Sequence, residues 1–489
     1  MRISDQTLPI LLPILGLAIV AVVARSAHRS WLAPGPFFAL FWLTMTLLSV
    51  SFAPSYHLWV GGLWLLLVFV LALLLGADMG QAPRRSRPNT AKEDPGAARQ
   101  PVPVLSPDVN RGLARFTVGA AILGSLAILF VMNAAGIPVS ALMSYDRLAR
   151  AASDLAWRRY TVGFAEPALT RLCLCGIYLG ALVGAALWGL SRQAKHKFLA
   201  AVPLLVALVY TSVVAARAAF CFALVLFVSV LLCLEVYKHP KTTKVFTAKR
   251  CAVIAVGVLI LVGVFVGVQH LRDSRYASAT NDDPIAHLRL YFCGSLSSFS
   301  LWTKEYFLRA DQPTWGVYSA AGLFQLLGVK ERDLGLYRDF MELGGGERTN
   351  IYTIFRGLIA DFTAVGSVII LTVCGFISGR SYQRVREGHI CYLPLLTCFY
   401  ATTICGIATS LFNYNTLTTS IIVFQAFCVS VSTGCVRRGP RSGWRAADAG
   451  VTVRARRSGS ACTGTKATAG CGALLRGGRV DAKARELNS

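Results

Sequence analysis

Charge is scarce in this sequence. Only 15% of its 489 residues are Asp, Glu, Lys or Arg, against roughly 25% in an average soluble protein. That scarcity excludes an ordinary water-facing surface. Alternation is missing as well. Strands of a membrane barrel alternate apolar and polar over about 10 residues, whereas the apolar blocks here are continuous. Lipid cannot satisfy free backbone groups, so only helices or closed barrels cross it, and such blocks read as helices. There is no GxxxxGK[ST] loop, no GxGxxG pattern and no GxSxG elbow, which disfavours ATPase, nucleotide-sugar and hydrolase chemistry. The 14 cysteines show neither zinc spacing nor a paired framework, so disulfides are not implied. Cys173, Cys175, Cys221, Cys374 and Cys405 lie inside apolar blocks, where a thiol acts as a small apolar filler. No internal repeat is present.

What the sequence has in quantity is long apolar runs. Hydrophobic residues make up 55% of the chain, and many runs reach the roughly 18 residues that read as a bilayer span. The spans expected are Leu8–Ala24, Pro36–Phe52, Leu58–Ala77, Arg115–Ala135, Ala168–Leu190, Leu199–Val214, Ala218–Val236, Cys251–Val268, Phe355–Ser378, Cys391–Phe412 and Leu417–Cys435. The fold class is therefore all-α: a polytopic bundle of about eleven transmembrane helices. Residues 1–436 form the membrane domain, and a large loop, 269–354, precedes the ninth span.

The net charge of +25 invites a nucleic-acid reading. Its distribution argues against one, because no basic stretch carries a folded recognition module. Lys and Arg crowd the links 25–30, 78–114, 191–198, 237–250 and 379–390, and the tail after Val436, while Ala53–His57 and Asn413–Thr416 have none. This is the positive-inside alternation of a bacterial inner-membrane protein, with the N-terminus outside and the C-terminus cytoplasmic. Only Arg2 precedes the first apolar run, so a retained span is expected there rather than a signal peptide. The loop 78–114 and the basic tail 437–489 read as disordered cytoplasmic segments, the tail lying near anionic lipid.

Three outer links break the neutral pattern: Gly136–Pro167, the tight link at Arg217, and Gln269–Ile354. Loops this long without structure are uncommon unless functional. In the last of them, Ile285–Phe307 and Trp315–Leu327 read as amphipathic helices at the interface. The loop then runs into Asn350-Ile-Tyr352-Thr353-Ile-Phe355-Arg356, followed by Asp361-Phe362-Thr363. Arg356 and Asp361 stand at the mouth of an apolar span, where charges line a cavity, pair, or snorkel to water.

This segment resembles the bacterial Wzy-type oligosaccharide repeat-unit polymerases of O-antigen and exopolysaccharide synthesis. In that family Asn-x-Tyr-Thr-x-Phe, then Asp-Phe-Gly, precedes a late span. Asn350, Tyr352, Thr353, Phe355, Asp361 and Phe362 fit, while Thr363 stands where the family has Gly. Arg217 matches the family's midway outer arginine. The resemblance implies polymerisation of undecaprenyl-diphosphate-linked oligosaccharide repeat units at the periplasmic face, without a cofactor or metal. The partners implied are the lipid-linked oligosaccharide, membrane lipids, a chain-length regulator and a flippase, and no nucleic acid.

A lipid diphosphate leaving group calls for arginine, whose planar fork bonds phosphate oxygens in pairs and stays charged. The expected catalytic residues are Arg217, Arg356 and Asp361, with Asp361 orienting or deprotonating the acceptor hydroxyl. Arg289, Arg348, Asn350, Tyr352 and His287 are expected to bind substrate. Arg147, Arg158, Arg159 and His270 stand behind them. Asp282 and Asp283 are adjacent and have no further ligand spaced to complete a metal site. Two other readings stay open. One is an O-antigen ligase of related architecture, and the other is a lipid-linked glycan transporter or flippase.

Overall fold

The computed structural model describes residues 7–82, 107–161, 163–164, 166–239, 248–273, 284–309, 312–329 and 337–437. The chain runs through α1 (Thr7–His28), α2 (Pro34–Phe52), α3 (Val60–Gln81), α4 (Pro107–Ala135) and α5 (Tyr145–Thr161). Next come α6 (Ala168–Leu190), α7 (Ala194–Val214), α8 (Ala218–Lys238), α9 (Ala248–Asp273), α10 (Pro284–Phe292), α11 (Gly294–Tyr306) and α12 (Ala321–Leu326). A hairpin of β1 (Met341–Gly344) and β2 (Glu347–Thr349) leads into α13 (Ile354–Arg386), α14 (Leu393–Cys405) and α15 (Asn415–Arg437). Among the described residues, 9 helices are long and apolar enough to cross a membrane. Two shorter apolar helices, Gly257–Leu271 and Ile390–Cys405, fall where the remaining two spans were expected. The chain is a multi-pass membrane protein with an all-α bundle.

The links sort to two ends. His28, after α1, bonds Asp78 of α3 at 2.6 Å. At the opposite end the α2–α3 link meets the hairpin, where His57 N–H donates to the Leu343 carbonyl at 2.6 Å. The Asn413 side chain accepts from Ala321 N–H at that same end (3.2 Å). The described parts of the loop 284–353 thus pack over one end of the bundle.

Two packed groups build the interior. One joins α4, α6, α7, α8, α14 and α15; the other joins α1, α2, α3, α11 and α13 around Trp42, Phe69, Phe299 and Phe355. Phe355 is fully buried, its ring 4.7 Å from Trp42 and 5.1 Å from Phe69. In lipid there is little hydrophobic force between helices, so close backbone approach must supply the attraction. Here α3 offers Gly76 and Gly80 and α13 offers Gly375 and Gly379. A methyl group on any of them would overlap a backbone carbonyl of the other helix: Thr372, Phe376, Leu73 or Ala77. This pairing seats α13 against α3.

At Thr363, φ is 63° and ψ 173°, which splits α13 into a short arm carrying Arg356 and Asp361 and a long arm against α3. That backbone region favours glycine. The threonine hydroxyl accepts from Gly366 N–H at 3.4 Å, a weak cap on the long arm. Relief of the strained backbone, about 1–2 kcal/mol, outweighs the few tenths lost when glycine replaces a capping threonine. Thr363→Gly is therefore expected to raise the thermal midpoint in detergent; an unchanged or lower midpoint would contradict this.

Several expectations are corrected. Ile285–Phe307 is not one helix. It breaks at Cys293, and α11 starts at Gly294, which lies against Leu343 of the hairpin. Within Trp315–Leu327 only Ala321–Leu326 is helical, since Trp315 (φ 54°) and Gly316 (φ 103°) turn the chain around Asp361. The helix of the fourth span reaches back beyond Arg115, as far as Pro107 among the described residues. The hairpin and α5 are additions to the expected elements. The disordered reading of 78–114 is overturned at its ends, where 78–81 belong to α3 and 107–114 to α4, and that of the tail at Arg437, the last residue of α15. The middle of that loop, 83–106, the rest of the tail, 438–489, and the pair Asp282–Asp283 lie outside the described residues.

Candidate functional site

Arg356 stands in the first turn of α13, and only 6% of its side chain is exposed. Its guanidinium packs into the corner formed by two rings set edge to face, 3.8 Å from the Tyr352 centroid and 3.9 Å from that of Tyr337. Trp302 of α11 is a third ring at 5.1 Å. Nη2 donates to the Asp339 carboxylate at 2.9 Å. Nη1 is buried and has no hydrogen-bond partner among the described residues. The adjoining rings help keep water off a cation that cannot lose its charge, so its N–H groups must be satisfied by anions or acceptors.

The other polar residues of the segment hold the same strip of loop. Asn350 Nδ2 donates to the Tyr337 carbonyl at 3.2 Å, and the Tyr352 hydroxyl donates to the Asp339 carbonyl at 3.2 Å. Tyr337 also stacks on Tyr318 with centroids 5.5 Å apart. Burial pushes the phenols of Tyr337 and Tyr352 well up, and Arg356 pulls both the other way. Both hydroxyls are held in the neutral form.

Asp361 is fully buried. It accepts from the Thr314 hydroxyl at 2.5 Å, from Tyr318 N–H at 3.0 Å, and from Ser319 N–H at 2.6 Å and the Ser319 hydroxyl. A carboxylate so engaged fixes the 314–319 turn. Its oxygens are committed to that turn, which makes it an anchor for the site. A narrow cleft, closed to water-sized molecules, lies beside these groups and is lined by Tyr318, Tyr337, Tyr352, Gly357, Ser410 and Asn413.

The remaining candidates sit apart from Arg356. Arg289 of α10 pairs with Glu347 at 2.8 Å, and the Tyr56 hydroxyl donates to the other Glu347 oxygen at 2.8 Å. Burial, aided by the bond to Glu347 and opposed by Arg289, pushes Tyr56 up to about 12. Arg348 is exposed, 5.6 Å from the Phe340 ring. His287 is half-buried on α10. Arg217 opens α8 just after Ala215, whose φ of 49° makes the tight link. Its guanidinium lies 3.7 Å from the Phe265 ring of α9 and 5.2 Å from Tyr291 of α10. Helix α10 thus carries both Arg289 and Tyr291, one of the rings beside Arg217. Arg158 donates to the Ala135 carbonyl at 3.1 Å, and Arg159 pairs with Glu166 at 2.7 Å. Arg147 and His270 are exposed.

Sequence reasoning missed Asp339, Tyr337, Tyr318, Trp302 and Glu347. Tyr337-Arg338-Asp339 stands in a stretch where charges are frequent, so nothing in the sequence set it apart. No family model, curated protein or solved structure matches this chain. The functional reading therefore rests on the chain's own chemistry.

Proposed function

We propose that this protein polymerises undecaprenyl-diphosphate-linked oligosaccharide repeat units into O-antigen or exopolysaccharide. The reaction takes place at the periplasmic face of a bacterial inner membrane, and the C-terminus is cytoplasmic. One observation carries the reading. Arg356, a buried arginine braced by aromatic rings, stands where an apolar span meets the loop-covered end of the bundle. Arg217 and Arg289 lie at that same end. A transporter coupled to ions would instead place its ionisable residues near the midplane.

The chemistry is one displacement. The hydroxyl oxygen of the incoming unit attacks the anomeric carbon of the growing chain. The bond from that carbon to the diphosphate breaks, and the diphosphate leaves with the electron pair, still on its lipid. The hydroxyl proton passes to solvent or a nearby acceptor. Arg356 stabilises the charge that builds on the leaving group, worth roughly 3–4 kcal/mol for a well-placed donor. Asn350 and Tyr352 position the loop beside it, and Asp361 holds the 314–319 turn. Arg217 and Arg289 serve the second lipid diphosphate.

Glycan chain length in a deletion strain tests the reading. Loss of a polymerase leaves single repeat units attached to the final acceptor. Long lipid-linked chains left unattached would instead mark a ligase. Loss of all exported units would mark a flippase. Unchanged long chains in cells carrying Arg217→Ala, with normal protein levels, would also sink the proposal.

A further inference from the structure

Arg356 and Asp361 are both buried at the head of α13, yet they do not pair. Asp361 spends its oxygens on Thr314, Tyr318 and Ser319. The counter-ion of Arg356 is Asp339, and the two differ sharply in burial: 6% of the arginine side chain is exposed, against 78% of the aspartate. A buried guanidinium needs a counter-charge at all times, because an unpaired charge in a dry site is costly. Here that charge comes from outside, on a carboxylate already largely in water. Releasing it costs little desolvation. Meanwhile Nη1 is buried without a hydrogen-bond partner among the described residues, so one aspartate oxygen does not use the full capacity of the fork. The rings of Tyr337 and Tyr352 meet edge to face and wall off one side of the guanidinium. The largely exposed Asp339 marks the side from which an anion can approach.

We propose that Asp339 holds the place of a phosphate or diphosphate group on Arg356. Binding of that group is an exchange, in which the carboxylate swings into water and phosphate oxygens bond both Nη1 and Nη2. The backbone of the loop need not move. Asn350 and Tyr352 grip the carbonyls of Tyr337 and Asp339, not the Asp339 side chain. The exchange keeps a buried cation neutralised before and after substrate arrives. It also weakens binding to anions that offer a single oxygen. The inference deepens the polymerase reading by naming the group that this arginine takes.

The test uses the full chain in lipid nanodiscs, with pyrophosphate as the soluble probe and calorimetry as the readout. Asp339→Asn keeps the side-chain size and removes the competing charge. It is expected to lower the pyrophosphate Kd about tenfold, as when a competing closed state is removed. Asp339→Ser should do the same, which guards against a defect peculiar to asparagine. Arg356→Gln should abolish binding. Discs doped with undecaprenyl diphosphate separate the two sources of the group. A raised apparent Kd for pyrophosphate assigns the site to the lipid-borne diphosphate, and an unchanged one assigns it to a free anion. Equal or weaker binding in both Asp339 variants would overturn the proposal, as would a wild-type protein and an Asp339→Asn variant that both fail to bind. Elongation with unaltered Asp339→Asn affinity would refute this exchange and leave the polymerase standing. Tightened binding without any elongation would do the reverse.

Discussion

Gly375→Leu is expected to leave almost no folded protein in the membrane. The leucine Cβ alone would overlap the backbone around Leu73 and Ala77 of α3, and backbone cannot rotate out of the way. Overpacking of a core costs about 1–3 kcal/mol where side chains can yield, and more where they cannot. Gly76, Gly80 and Gly379 repeat the close approach along the same seam. Separating the helices at one of these points loosens all of them. Folded yield in fluorescence-detected gel filtration should fall at least tenfold, the change that about 1.4 kcal/mol produces. Gly263 is the control, because a Cβ there meets nothing within 4 Å. Gly263→Leu should express normally. Normal yield from Gly375→Leu would mean that α3 and α13 are held by something other than this seam.

The second large effect is on activity. Arg356→Ala should lower the elongation rate by about 10²–10³, the loss seen when one well-placed donor to a developing charge is removed. Arg356→Lys should recover only part of it. Lysine keeps the charge but has neither the planar group that packs against Tyr337 and Tyr352 nor the fork that grips two oxygens. Tyr352→Phe removes only the hydroxyl bond to the Asp339 carbonyl, so it should cost far less. Rates should be normalised to folded protein measured by gel filtration. A lysine variant as active as wild type would show that the packing of the guanidinium on these rings has no part in the reaction.

The spans were legible because lipid imposes one rule on every residue of a block, and that rule shows in composition. Nine expected spans coincide with helices long and apolar enough to cross, although α4 reaches back to Pro107; the other two fall on shorter apolar helices, and Cys391–Phe412 stays α-helical only to Cys405. The seam between α3 and α13 was written in the sequence too, as glycines four apart in each helix. It takes the pairing of the two helices to give those glycines meaning. The loop was harder to read. Ile285–Phe307 carries helical periodicity throughout, and nothing local in it marks the break at Cys293. Trp315–Ser319 abandons a helix because a distant carboxylate, Asp361, offers its N–H groups a better partner.

The candidate site divides in the same way. The motif residues Asn350, Tyr352 and Arg356 were found from their order along the chain, and they converge on residues 337–339. Asp361 was expected to meet the acceptor hydroxyl. Its position was visible in sequence, but its four donors come from a turn some forty residues earlier. Asp339 carried no local signal at all. Its importance comes from the arginine it faces.

The most direct test of the central claim is elongation by the purified chain. The protein would be reconstituted in vesicles with undecaprenyl-diphosphate-linked repeat units, without nucleotide sugars, and the products sized. The expected result is a ladder of lengthening lipid-linked chains, with one undecaprenyl diphosphate released per linkage and none formed by Arg356→Ala. Folded wild-type protein that leaves every unit single, under conditions where it binds the lipid-linked substrate, would contradict the claim.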